Sequence, residues 1–210
     1  MPDTPAFRPP VLSYDDIRHR ATEFLQRYCA PLEVPVPIES IVEFDLAMDV
    51  IPKLGLESQL GVAAFLSSDL EYIYVDEATM KYSVERYRFS LAHEVGHYWL
   101  HDAFYRQYPI GSIADFKTAQ RAISEDYKWF EFQANSFAGL VLVPPIPLRA
   151  RFEASIAAAT ASGIRQAQMI EHPLRQRLVR SVASAFTVSE PVAERRLEKD
   201  GFLPKLATLE

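Results

Sequence analysis

The chain has 210 residues, of which 49% are hydrophobic and 24% charged, a balance that suits one soluble domain of ordinary size or one domain with a small appendage. No apolar run approaches the roughly 20 residues needed to span a bilayer, and a formal net charge of −6 argues against wholesale nucleic-acid binding while leaving room for a local basic patch. Cys29 is the only cysteine, which excludes an internal disulfide framework and fits a reducing cytoplasm.

The start, MPDTPAFRPP, has neither the basic end nor the apolar middle of a secretory signal, so a cytoplasmic location is expected. Its prolines suggest a loosely attached arm over residues 1–12, and the proline clusters at 31–37 and 144–147 read as connections between elements. With Ser13 as a cap, Ile17, Ala21, Phe24, Leu25 and Tyr28 recur at helical spacing, predicting an amphipathic helix over 14–29. His19 falls off the apolar face of that helix, and Cys29 near its end reads as a packing residue.

A short helix from Ile38 to Phe44 follows, then a brief strand at Met48–Ile51. Two further strands, Gly61 to Leu66 and Glu71 to Val75, are joined by the polar turn Ser67-Ser68-Asp69. Bulky β-formers in the last strand suit a small sheet covering the next helix. Such a sheet can offer an edge strand to an extended peptide through backbone hydrogen bonds alone.

That next helix carries RFSLAHEVGHYWL, residues 88–100, with His93, Glu94 and His97 in an H-E-x-x-H pattern. Imidazoles four residues apart lie on nearly the same helix face, separated by about 6 Å along the axis. Both can therefore reach one zinc ion at about 2.0–2.1 Å. Glu94 sits one step round, where its carboxylate can take a proton from a zinc-acidified water without being a ligand. The bland alternative is a chance pair of histidines on a solvated helix. Phe89, Leu91, Ala92, Val95, Tyr98, Trp99 and Leu100 argue against it, because they make the helix apolar over most of its circumference. A buried helix with two imidazoles and a carboxylate needs something to satisfy them, and metal does so.

Between Asp102 and Ser124 the periodicity dissolves into a Tyr- and Phe-rich stretch, read as a flap near the site or packing over the helix ends, with a short helix at 114–123. A second buried helix starts near Glu125 and ends at Leu142, before Pro144-Pro145. On it Glu131 stands among aromatics, costly unless paired or metal-bound. Two histidines, one glutamate and an open fourth position make the usual catalytic zinc centre, so Glu131 is the expected third ligand. Glu125 is an alternative, and His101 another that geometry disfavours, since it lies about 12 Å along the helix from His93. His101 is expected to hydrogen-bond nearby structure instead. Asn135, one turn on from Glu131, is a candidate for supporting the site or for a local backbone bond. Tyr98 is a candidate for steadying an oxyanion and is equally well explained as core.

The remainder, 146–210, is helical by composition: Arg149 to Ala161, Leu174 to Phe186 and Glu190 to Lys199, the last with Ser189 as N-cap and Pro191 in its first turn. The final pair resembles a helix-turn-helix whose second helix carries Arg195, Arg196 and Lys199, although Glu194 and Glu198 dilute the basic face. The same pattern also describes an ordinary packed pair.

Two blocks, RFSLAHEVGHYWLH and EFQANSFAGLVLVP, resemble the zinc helix and second motif of the ImmA/IrrE family of zinc metallopeptidases. The resemblance covers about 35–200 and extends weakly to VSEPVAERRLEKDGF. It implies an α+β fold, with a mainly helical zincin-like core over 13–145, a small three-stranded sheet and a C-terminal helical, helix-turn-helix-like segment. Carried over by position, it implies His93, His97 and Glu131 as Zn2+ ligands and Glu94 as general base. It also implies a cytoplasmic protein that cleaves a helix-turn-helix repressor and so relieves repression under stress. The chain departs from the pattern in a longer link over 102–124 and in ending soon after the helical segment, without the sensor domain of radiation-response members. The competing expectation is a non-catalytic module that binds metal, a repressor or DNA.

Overall fold

Local chemistry starts the first helix where a cap was expected. In the computed structural model, which describes residues 10–108, 115, 126–163 and 172–204, α1 (Tyr14–Tyr28) opens on a reciprocal capping box. The Asp16 amide donates to Ser13 Oγ at 3.2 Å, and the Ser13 amide donates to the Asp16 carboxylate at 2.8 Å. Two orphan amides of the first turn are thereby satisfied. Phe24 on its inner face meets Phe137 and Trp99 edge-on, with centroids 5.5 and 5.4 Å apart. Such pairs add about 0.5–1.5 kcal/mol each beyond burial.

A short α2 (Ile38–Ser40) runs into a π-helical turn over Ile41–Asp45. The strands are β1 (Asp49–Lys53), β2 (Ala64–Leu66) and β3 (Tyr72–Asp76), in the order β1-β3-β2. β1 pairs with β3 in parallel and β2 pairs with it antiparallel, with Phe65 opposite Tyr74. β2 begins later than the sequence suggested, because a helical turn, α3 (Leu56–Leu60), precedes it. Gly55 and Gly61 bracket that turn at φ +70 and +72, where a side chain would be strained.

Asp76 then caps α4 (Glu77–Tyr82). The long α5 (Val84–Gln107) follows and carries the histidines. Its first half is tied down by Arg88, which donates to both Glu39 oxygens at 2.8 and 2.6 Å and to the Val36 carbonyl at 2.6 Å.

A loop was expected from Asp102, yet α5 continues to Gln107 with non-helical backbone at His101 (φ −130, ψ 23). No Gly or Pro stops it there, and Phe104 and Tyr105 are buried beyond the kink, so packing carries the helix on. The helix expected over 114–123 and the alternative ligand Glu125 lie outside the described residues, Asp115 aside, as do residues 1–9 of the arm.

Next comes α6 (Tyr127–Leu142), followed by α7 (Pro145–Ala161), α8 (His172–Phe186) and α9 (Glu190–Lys199). One continuous set of buried side chains runs from Ile17 on α1 through the sheet, α5 and α6 to Leu197 and Leu203. The fold is therefore mainly helical with a three-stranded sheet, as expected.

Candidate metal centre

The site forms where α5 and α6 come close enough for their side chains to share one point. Gly96 permits that approach. A Cβ there would lie 3.1 Å from both Cα and O of Ala134 and 3.2 Å from the Phe137 ring. His93, one turn before Gly96, and His97, directly after it, face Glu131 across the gap.

The Nε2 atoms of His93 and His97 are 3.0 Å apart. Glu131 places one oxygen 3.3 Å from His93 Nε2 and the other 3.5 Å from His97 Nε2. Ligands at about 2.0–2.1 Å from a tetrahedral ion stand about 3.3–3.4 Å from one another. Each histidine thus stands within ligand-to-ligand reach of the other and of one Glu131 oxygen, and two imidazoles with a carboxylate form a donor set that divalent transition metals, zinc among them, accept. Among the described residues these three form the one group of donors spaced to hold a metal. His97 has a side chain 4% exposed, His93 15% and Glu131 28%. The centre is thus closed on the His97 side and open on the other, as a catalytic site requires.

Charge is shared tightly here. Burial alone would raise the Glu131 pKa, but the neighbouring His93 and His97 hold it well below the usual carboxylate range. Burial would lower the His93 pKa, yet Glu131 and Glu94 lift it above its ordinary value. Glu94 lies beside the three donors without joining them. Burial raises its pKa, opposed by the two histidines and by the Leu66 amide of edge strand β2. A buried carboxyl with a raised pKa is a better proton acceptor than one in water.

His101 takes the place expected of it, hydrogen-bonding its surroundings. Its Nδ1 lies 3.0 Å from His97 Nδ1 and its Nε2 3.0 Å from Gln133 Oε1. Burial, reinforced by His97, lowers its pKa to about 3, so it is neutral. Asn135 does both things considered for it: its side-chain Nδ2 donates to the Glu131 backbone carbonyl at 2.8 Å, and the same side chain hydrogen-bonds His93. Tyr98 packs against the core, and no bond among the described residues joins it to the site. Tyr105, whose ring centroid lies 6.3 Å from that of His97, has its pKa pushed well above the ordinary value by burial and then by Glu94 and Glu131.

Sequence reasoning missed Gly96, Tyr105 and Gln133. The glycine inside a buried helix was a readable sign of close approach. The other two were not readable, because their roles depend on which helix faces them. Arg196, counted as a basic residue of a DNA-reading helix, is buried instead. It donates to the Val143 carbonyl at 3.2 Å, to the Tyr14 hydroxyl and to Asp200 at 2.7 Å. Glu194 and Glu198 bind Arg175 of α8 at 2.7 and 2.6 Å, so the last two helices form a stitched pair.

A Mycobacterium tuberculosis transcriptional regulator of solved structure is similar with a TM-score of 0.54 and 13% identity, over 88% of this chain and 46% of that one. The likeness is one of fold, and the chain spans less than half of that protein's length. No curated protein matches the chain. The model of the Peptidase_M78 family, described as the IrrE N-terminal-like domain, matches residues 67–198, which includes α5, α6 and all three donor residues. The chain belongs to the IrrE N-terminal-like, Peptidase_M78, family.

Proposed function

We propose that this protein is a zinc-dependent endopeptidase in which His93, His97 and Glu131 hold the ion and Glu94 is the general base. The observation that carries this reading is the set of three donor residues gathered at one point, with a second, buried carboxyl beside them and outside the set. When bound, the ion supplies Lewis acidity towards a peptide carbonyl and acidifies water at its open position. Glu94 takes the proton from the attacking water and delivers it to the leaving amine. Asn135 steadies His93 and the backbone of Glu131. Tyr105, whose pKa burial pushes up, joins Tyr98 as a candidate for donating to a developing oxyanion.

An extended substrate has a natural seat. β2 lies at the sheet edge, and its Leu66 amide is the one that reaches Glu94. A peptide added there by backbone hydrogen bonds would pass its carbonyls along the open side of the centre. Beside Asn135 a cavity of about 490 Å³, lined by Phe89, Phe132, Val192, Arg195 and Lys199, has room for side chains. The substrate class is a partner protein, and the resemblance to the ImmA/IrrE family makes a helix-turn-helix repressor the first to test. Relief of repression under stress, in a cytoplasmic setting, follows from that substrate. The DNA-binding alternative loses support from Arg196, which faces the interior.

The test is cleavage of candidate helix-turn-helix repressors by the zinc-loaded protein, followed by mass spectrometry, beside Glu94→Gln. The variant should keep zinc and partner binding and lose about 10²–10⁴-fold in rate. Relief of repression that survives Glu94→Gln would show that the protein acts by binding alone.

A further inference from the structure

His97 turns Nε2 to the centre and Nδ1 away from it, towards His101. From there a single file of hydrogen bonds leaves the site. His97 Nδ1 and His101 Nδ1 are 3.0 Å apart, His101 Nε2 and Gln133 Oε1 are 3.0 Å apart, and Gln133 Nε2 donates to the Pro10 carbonyl at 2.7 Å. His97, His101 and Gln133 are 3%, 1% and 0% exposed, so while the segment is in place no solvent enters the file. Phe130 stacks on both imidazoles, at 4.5 and 4.1 Å between centroids, and fixes their planes.

Chemistry allows this file only one direction. The Pro10 carbonyl accepts and never donates, so the Gln133 amide must turn its nitrogen to Pro10 and its oxygen to His101. That oxygen accepts, so His101 carries its proton on Nε2; with its ring 1% exposed and stacked on Phe130, it holds that one proton and presents a lone pair at Nδ1. His97 must then donate from Nδ1, which leaves its Nε2 lone pair free. That is the tautomer a metal ligand needs. A backbone carbonyl on the N-terminal segment thus sets the state of an atom in the centre, two side chains away.

We propose that the N-terminal segment at Pro10 anchors a positioning relay, through Gln133 and His101, that holds His97 in its metal-binding tautomer, and that releasing this segment weakens the metal site. The inference rests on the metal-centre reading above. His101 and Gln133 are positioning residues, acting only through His97. A partner that pulled on the segment would loosen the ion without touching the cleft.

The experiment measures zinc affinity by chelator competition for the full chain, for His101→Phe and Gln133→Leu, and for a chain lacking residues 1–11, the last also in the Gln133→Leu background. Each single change should weaken zinc by about 10–100-fold, the range for removing a partner of a ligand histidine. Removal of 1–11 should add nothing once Gln133 is Leu. An equal loss in both backgrounds, or no loss in either, overturns the relay. Long-range ¹⁵N–¹H spectra of the metal-free wild type give a second readout that needs no variant. His97 should appear as the Nδ1–H tautomer and His101 as Nε2–H, and the opposite pair of tautomers overturns the proposal. A wild type that binds no zinc would sink the metal-centre reading itself. Zinc binding indifferent to all three changes would sink only the relay.

Discussion

At Gly96 a single hydrogen atom decides how far apart two helices stand. The nearest atoms to an added Cβ include Cα and O of Ala134 at 3.1 Å, which belong to the backbone and cannot swing aside. Gly96→Ala would gain about 1 kcal/mol of helix propensity and meet overpacking of about 1–3 kcal/mol. We expect the second to win, lowering the melting temperature and weakening zinc, because Glu131 moves with Ala134. A variant as stable as wild type with unchanged zinc affinity would show that the α5–α6 distance is not set there. The same scale shows what the sequence reveals and what it hides. His93 and His97 are legible because their relation is local, four residues along one helix. Glu131 is legible because a lone carboxylate among aromatics needs a reason. Gln133 and Tyr105 look like ordinary residues until the facing helix gives them neighbours.

Helices with strong local signals stand close to where periodicity and caps place them, with α1 and α9 starting after Ser13 and Ser189 as expected. Elements held by distant contacts do not. The part of α5 past His101 persists because Phe104 and Tyr105 are buried, and α3 is closed by a carboxylate 19 residues away. That carboxylate is Asp76. It accepts from the amides of Glu57 at 3.1 Å, Ala78 at 3.1 Å and Thr79 at 3.4 Å, joining the end of β3 to the starts of α3 and α4. The Glu57 amide, more than the others, holds its carboxyl below the usual range, against the effect of burial. A depressed folded-state pKa means the stabilisation is fully present above the unfolded value, near about 3.9, and lost as pH falls through the lower folded value. Asp76→Asn removes this titration and leaves one donor facing another, costing about 1–3 kcal/mol at pH 7. The gap in melting temperature between wild type and variant should therefore narrow below about pH 5. A gap constant down to acid unfolding would mean that Asp76 is not the titrating cap.

Across the whole molecule, the C-terminal pair is joined to the half that carries the metal site by charge as well as by apolar contact. Arg196 of α9 reaches the Val143 carbonyl after α6 and the Tyr14 hydroxyl of α1, and shares Asp200 with Arg18, which donates to it at 2.7 Å. Breaking a buried pair costs about 3–5 kcal/mol when the partner is left uncompensated. Asp200 keeps Arg18, so Arg196→Ala should cost about 3 kcal/mol, at the low end of that range. Urea denaturation would measure it, and a loss under about 0.5 kcal/mol, the level of an ordinary surface change, would contradict the buried role. This bracing was illegible in the sequence, where Arg196 reads as one of three cations on an exposed helix. Burial chose between the two readings.

The most direct test of the central claim is the metal content of the purified protein beside Glu131→Ala. The account predicts about one zinc per chain, lost or sharply weakened in the variant. Wild type that stays metal-free when zinc is supplied would contradict it, and the cluster of His93, His97 and Glu131 would then belong to a fold that no longer holds an ion.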